Sequence, residues 1–196
     1  MSQLSPMTNY LCNAIDSAAE YIQNIATELE AASEAIVSSL LEDKKILICG
    51  RGFAAPIAQI LTTGLMDQHE FERPGLPAIN LSSDAVTLSS MAKNQDNTLV
   101  FAKQIRAIGA EGDCLIAFAL DNDAEDIQRA IENAKDKGMR VVFFNGGDKL
   151  AAKGIKNQTK EVCFNTENLS RSMELALLSV NTLIRSVESR LFGIPL

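Results

Sequence analysis

The sequence predicts a single α/β domain, an open parallel sheet with helices on both faces. Three observations carry that prediction. Short apolar runs recur with helical stretches between them: Ile46 to Gly50, Ala78–Leu81, Asp113–Ala119, Arg140–Asn145 and Glu161–Phe164. Runs of this length, rich in Ile, Val and Phe, fit strands buried on both faces. The first run is followed by Gly50-Arg51-Gly52 and then by a helical pattern from Ala54. Strand, glycine turn and helix is how an α/β protein builds an anion site from backbone N–H groups. Two glycines also suffice simply to turn the chain. Finally, 196 residues suit one domain with a sizeable core.

Taken in order, residues 7–42 are helical by pattern. Leu11, Ile15, Ala18, Ala19, Ile22 and Ile25 recur at helical spacings, and a second run carries Leu29, Ile36, Val37, Leu40 and Leu41. These read as two amphipathic helices ahead of the first strand. They need a surface to cover, and a partner subunit is one, because the sheet has its own crossover helices. After the glycine turn, Pro56 is tolerated because it falls in a helix's first turn. Glu72–Pro77 is a loop before the second strand. Ser82, Ser83 and Asp84 cap the helix Ala85–Lys93 or face a ligand at the strand end, and the two are compatible. A helix over Leu99–Ile108 stops at Gly109. Asp121–Ala124 leads into a helix that ends near Gly138.

The last helix carries Leu169, Met173, Leu177, Val180, Ile184, Val187 and Leu191 on one stripe, widened by Leu175, Leu178 and Leu183. So wide a stripe implies burial on two sides, again in an oligomer. The layout is a helical segment at 7–42, sheet and crossover helices over 44–165, and a C-terminal helix at 168–192. All of it belongs to one flavodoxin-like or Rossmann-like domain spanning 1–196. In such sheets ligands bind beyond the C-terminal strand ends. Here those ends are Gly50–Ala54, Ser82–Asp84 and Leu120–Ala124.

Composition sets limits. The chain is 46% hydrophobic and 22% charged, as ordinary soluble domains are, and its net charge is −7. That charge argues against direct nucleic-acid binding, which needs a basic face, though not against a protein partner that itself binds DNA. No apolar run reaches the ~18 residues of a membrane span, and the N-terminus carries no signal-peptide pattern. A cytoplasmic location is expected. The four cysteines, Cys12, Cys49, Cys114 and Cys163, are scattered and three of them lie in apparent strands, which points to buried thiols rather than disulfides or a metal site. Asp121, Asp123, Glu125 and Asp126 form an acidic helix start, favoured by the helix dipole and lacking a calcium-loop pattern.

Several motifs occur together in one order and spacing. They are Cys49-Gly50-Arg51-Gly52 with Ala58-Gln59, Glu72-Arg73-Pro74-Gly75-Leu76-Pro77-Ala78-Ile79, Gln104 with Arg106 and Gly109, Gly112-Asp113, and Lys137-Gly138-Met139. Over residues 8–192 the chain thereby resembles the phosphosugar isomerase-like (SIS) domains of the phosphoheptose isomerases and of their non-isomerase relatives, the DnaA initiator-associating proteins. The resemblance implies a five-stranded sheet, N-terminal helices that pack in oligomerisation, and a homotetramer with sites at subunit interfaces. It also implies a ligand cleft at Gly50, Arg51, Gly52, Phe53, Ser82, Ser83, Asp84 and Asp121.

The departures from that family pattern are as informative. The isomerases hold a sugar phosphate on a loop patterned Ser-Thr-Ser-Gly-Asn-Ser. This chain has Ala119-Leu120-Asp121-Asn122-Asp123-Ala124 there, trading hydroxyl donors for carboxylates that accept only and repel phosphate. The glycine loop carries Arg51 and Ala54 where the family pattern has Asn and Ser, and the Phe53 ring is the expected obstruction of the cleft if the carboxylates after the third strand do not block it. The isomerases' His and Glu on the following helix are Ile60 and Gly64 here. Their Gln-Glu-x-His-x-x-x-x-His run is Met173 to Asn181, where only Glu174 matches and Ala176 and Asn181 replace the histidines. Glu174 is expected to be paired or at a subunit seam, and the lone histidine, His69, to be a solvated loop residue.

No catalytic residue and no cofactor are therefore expected, with zinc only if the chain is an isomerase. The leading reading is a non-catalytic homotetramer that binds a protein, and the resemblance points to the replication initiator. Leu191-Phe192 and the apolar tail to Leu196 are the expected docking patch. A phosphoheptose isomerase, or a sugar-phosphate sensor with a degenerate site, is the alternative.

Overall fold

A computed structural model describes residues 5–67, 70–93, 97–121, 124–147, 159–166 and 168–196. Its first element is one continuous helix, α1 (Pro6–Leu41), of 36 residues. This corrects the expectation of two helices. No glycine or proline interrupts residues 7–41, and the apolar stripe runs through Ile25, Leu29, Ala32 and Ile36 without a phase break, so nothing stops the helix. Its start is set by Pro6 at the first helical position and by Ser5, whose Oγ accepts the Thr8 amide at 3.1 Å.

Five parallel strands follow: β1 (Ile46–Gly50), β2 (Ala78–Asn80), β3 (Cys114–Ala119), β4 (Arg140–Asn145) and β5 (Thr159–Cys163). Their order across the sheet is β2-β1-β3-β4-β5. The fifth strand starts two residues earlier than the apolar run suggests. Thr159 pairs with Val141, so ladder bonds rather than apolar side chains set its outer end. Between the strands lie α2 (Ala54–Met66), α3 (Ala85–Ala92), a short tight turn of helix at Asn97–Leu99, α4 (Val100–Ile108) and α5 (Glu125–Asp136), and α6 (Leu169–Phe192) closes the chain. No helix among the described residues is long and apolar enough to cross a membrane.

The period of two along each strand divides the core. Ile46, Ile48, Cys114, Ile116, Phe118, Val142 and Phe144 face α1, α2 and α6. Leu47, Cys49, Leu115, Ala117, Val141 and Phe143 face the layer of α4 and α5. Phe118 and Phe144 stack with ring centroids 4.6 Å apart, tying β3 to β4. At the N-terminal strand ends, the buried Asp113 carboxylate accepts from Lys45 Nζ at 2.5 Å and from the Ala110 amide at 2.8 Å. That explains the Gly112-Asp113 motif as a fold element far from the ligand ends. Cys49, Cys114 and Cys163 are buried thiols outside any disulfide, as their strand positions suggest, whereas Cys12 on α1 is exposed.

Candidate functional site at the strand ends

The glycine turn is built as the sequence suggests, and the amides of Gly50, Ala54 and Ala55 are already committed. Gly52 takes a positive φ of 54°, which favours glycine. A side chain on Gly50 would come within 2.9 Å of the Ala54 carbonyl oxygen, so glycine lets α2 start hard against the strand. The Gly50 amide donates to Ser82 Oγ at 3.0 Å, and the Ser82 hydroxyl donates back to the Gly50 carbonyl at 2.7 Å. The Ala54 and Ala55 amides turn back to the Arg51 and Gly52 carbonyls at 2.9 and 3.2 Å. Pro56 has no N–H to offer. An anion cradle needs these groups pointing outward. Here Ser82 and the turn consume them.

The other strand-end residues are placed as follows. Ser83 Oγ donates to the Asn80 carbonyl at 2.9 Å. Asp84 caps α3, accepting from the Val86 and Thr87 amides at 3.0 and 3.1 Å and from the Thr87 hydroxyl at 2.5 Å. The Thr87 hydroxyl chiefly, and the two amides, hold the Asp84 carboxyl below its ordinary range. So Ser82-Ser83-Asp84 works as a strand tie and a helix cap. Phe53 stands at the start of α2 with 62% of its surface exposed.

Asp121 is exposed just past β3. The carboxylate that meets the loop cation is a different one. Arg51 Nη1 lies 3.8 Å from Oδ1 of Asp126, in the first turn of α5. Its sequence position marks Asp126 as part of an acidic helix start, and only the sheet order shows that this start sits opposite the glycine loop. Asn122, Asp123 and His69 lie outside the described residues.

At the positions that match the isomerase pattern, the packing is apolar. Ile60 is exposed on α2, and Gly64 is buried one turn further on. A Cβ on Gly64 would run into Cδ1 of Ile184 from α6. On α6, Met173 and Asn181 are half-buried and Ala176 is fully buried. Glu174 forms an ion pair with Arg171, three residues earlier, and Arg171 also lies 4.7 Å over the Tyr10 ring. It is thus a paired carboxylate, in line with its sequence environment. Among the described residues no group of three or more His, Cys, Asp or Glu is placed to hold a metal ion.

One functional-looking arrangement is absent from the sequence reading. Arg73 and Glu188 form a wholly buried pair, Nε to Oε1 at 2.9 Å, with side chains 1% and 0% exposed. Arg73 also donates to the carbonyls of Leu65 at 2.9 Å and Gly64 at 2.5 Å, satisfying the last turn of α2. Arg185 donates to the other Glu188 oxygen at 3.2 Å and to the Pro195 carbonyl at 2.6 Å. The Glu72–Pro77 loop therefore ties α2 to α6 and to the C-terminal tail. Leu191 is half-buried at the end of α6, Phe192 beside it is 39% exposed, and Leu196 is largely exposed.

Comparison with known proteins agrees with this architecture. Residues 9–146 match the model of the SIS domain. The chain is 35% identical over 184 residues to a phosphoheptose isomerase of Halorhodospira halophila, covering 93% of each chain. It is also 35% identical over 165 residues to the DnaA initiator-associating protein DiaA of Klebsiella pneumoniae, covering 84% of each. A solved phosphoheptose isomerase structure from Francisella tularensis superposes with a TM-score of 0.86 at 30% identity, covering 96% of this chain and 100% of that one. With its sheet order, its glycine turn and its match over most of the chain, this protein belongs to the SIS-domain family.

Proposed function

We propose that the chain is a non-catalytic SIS-domain homotetramer of the cytoplasm. In this reading it binds a protein and regulates replication initiation, as the name of its DnaA initiator-associating relatives suggests. The observation that carries the reading is the packing at Gly64, where Ile184 fills the space that a side chain would need. With Ile60, Met173, Ala176 and Asn181 at the other matching positions, no base or metal ligand faces a substrate from them. Aldose–ketose isomerisation requires a base to move a proton between carbons, and often a metal to polarise the carbonyl. On this reading the protein needs no cofactor.

Leu191 and Phe192 then form the docking patch for the replication initiator. Four copies of the patch on a tetramer raise the local concentration of bound initiators without strong single contacts. The protein acts on DNA only through that partner.

Titration of purified replication initiator over the immobilised protein tests this. Wild type is expected to bind saturably. Leu191→Ser with Phe192→Ala is expected to weaken binding by at least about tenfold, as loss of an apolar anchor does. No binding by wild type, or equal binding by the variant, contradicts the reading. The equal identity to a relative named phosphoheptose isomerase supports the alternative, an isomerase that takes up zinc or a sugar-phosphate sensor.

A further inference from the structure

In a sheet ordered β2-β1-β3-β4-β5, strand order reverses between β1 and β3. Ligands of doubly wound sheets sit in the crevice outside that point. In this chain the crevice is bridged from wall to wall. Arg51 follows β1 directly, and Asp126 stands in the first turn of the helix that follows β3. Their side chains approach to 3.8 Å, with the Asp126 side chain 7% exposed and that of Arg51 37% exposed. The carboxylate is therefore the inner member of the pair. Its Oδ1 also accepts the Ile127 amide at 2.9 Å, so it draws on the start of α5 as well as on the loop. Its charge reaches back into the sheet. The Cys49 thiol, two residues before Arg51, is pushed up in pKa first by burial and then by Asp126.

From these contacts we infer that Asp126 is a built-in counter-anion. It holds, as part of the chain, the electrostatic place that a phosphate ester would take at the β1/β3 crevice, and so closes that crevice to phosphate. A phosphate entering there meets a like charge and competes for an arginine that is already paired. Nothing needs to move for the block to operate. The inference rests on the non-catalytic reading of the cleft and supplies its specificity-determining residue.

Asp126→Asn removes the charge and keeps an oxygen for the Ile127 amide. Asp126→Ser is a smaller second variant that also keeps an oxygen. Both are checked for native circular dichroism and native assembly mass. The probe is inorganic phosphate at constant ionic strength, read as a shift in melting temperature. Wild type is expected to show no saturable shift. The Asn and Ser variants are expected to gain one, with an apparent Kd at least about tenfold below any wild-type response. Adding Arg51→Ala is expected to abolish the gain.

Native variants without a gain overturn the inference and leave the non-catalytic reading standing. A gain that survives Arg51→Ala also overturns it, since the anion would then be held elsewhere. Wild-type binding as tight as that of the variants overturns the inference and the reading of a closed cleft together.

Discussion

Glu188→Ala is expected to lower the folding free energy by about 3–5 kcal/mol, the loss typical of breaking a buried charge pair. The Glu188 side chain has no exposed surface and is held between Arg73 and Arg185. Removing it leaves the Arg73 guanidinium buried without a counter-charge, and a desolvated unpaired charge is more costly than the pair was favourable. The damage spreads because Arg73 also satisfies the Gly64 and Leu65 carbonyls at the end of α2. Urea unfolding followed by circular dichroism measures the loss. The double variant Arg73→Met with Glu188→Leu should lose less than the sum of the two single changes, since residues in one network do not add. A urea midpoint unmoved in Glu188→Ala would show that this network does not hold α2 to α6.

Leu11→Glu with Ile15→Glu is expected to dissociate the proposed tetramer while leaving the protomer folded. The two side chains are 58% and 68% exposed on the N-terminal half of α1, one turn apart, so the protomer core does not need them. Met7 and Ile22 extend the same half of the helix with further exposed apolar surface. Covering a Leu or Ile side chain contributes about 1.5–3 kcal/mol. Losing two per protomer therefore lowers the association constant by roughly a hundred- to ten-thousandfold. Sedimentation at micromolar concentration reads the result. A wild type that sediments as a folded monomer, or a variant that keeps the wild-type mass, contradicts a tetramer built on α1.

The strands were legible because a parallel sheet covered on both faces demands uninterrupted apolar runs, as at Ile46–Cys49 and Val141–Phe144. The glycine turn was legible for a similar reason, since Gly50 and Gly52 each answer a local backbone demand. The single long α1 was missed because its burial changes midway: before Ile25 most residues are exposed and only a few, such as Ala18 and Tyr21, pack against the core, whereas Ile25, Ala32 and Ile36 are buried in it. The apolar pattern shows that a helix is amphipathic and not how many helices carry it.

Long-range polar contacts were not legible at all. Arg73 and Glu188 lie 115 residues apart, and Arg51 and Asp126 meet only because β1 and β3 are neighbours. Exposed, flexible-looking charges in a sequence give no sign of which ones folding will bury. The same limit explains why Asp121 drew attention ahead of Asp126.

The most direct test of the non-catalytic reading is turnover of sedoheptulose 7-phosphate by the purified protein, with and without added zinc, followed by product-specific chromatography. The packing of Ile184 over Gly64, and the apolar or amide residues at Ile60, Met173, Ala176 and Asn181, predict no product above a protein-free control. Turnover that survives further purification and scales with the amount of this protein would contradict that reading and establish an isomerase.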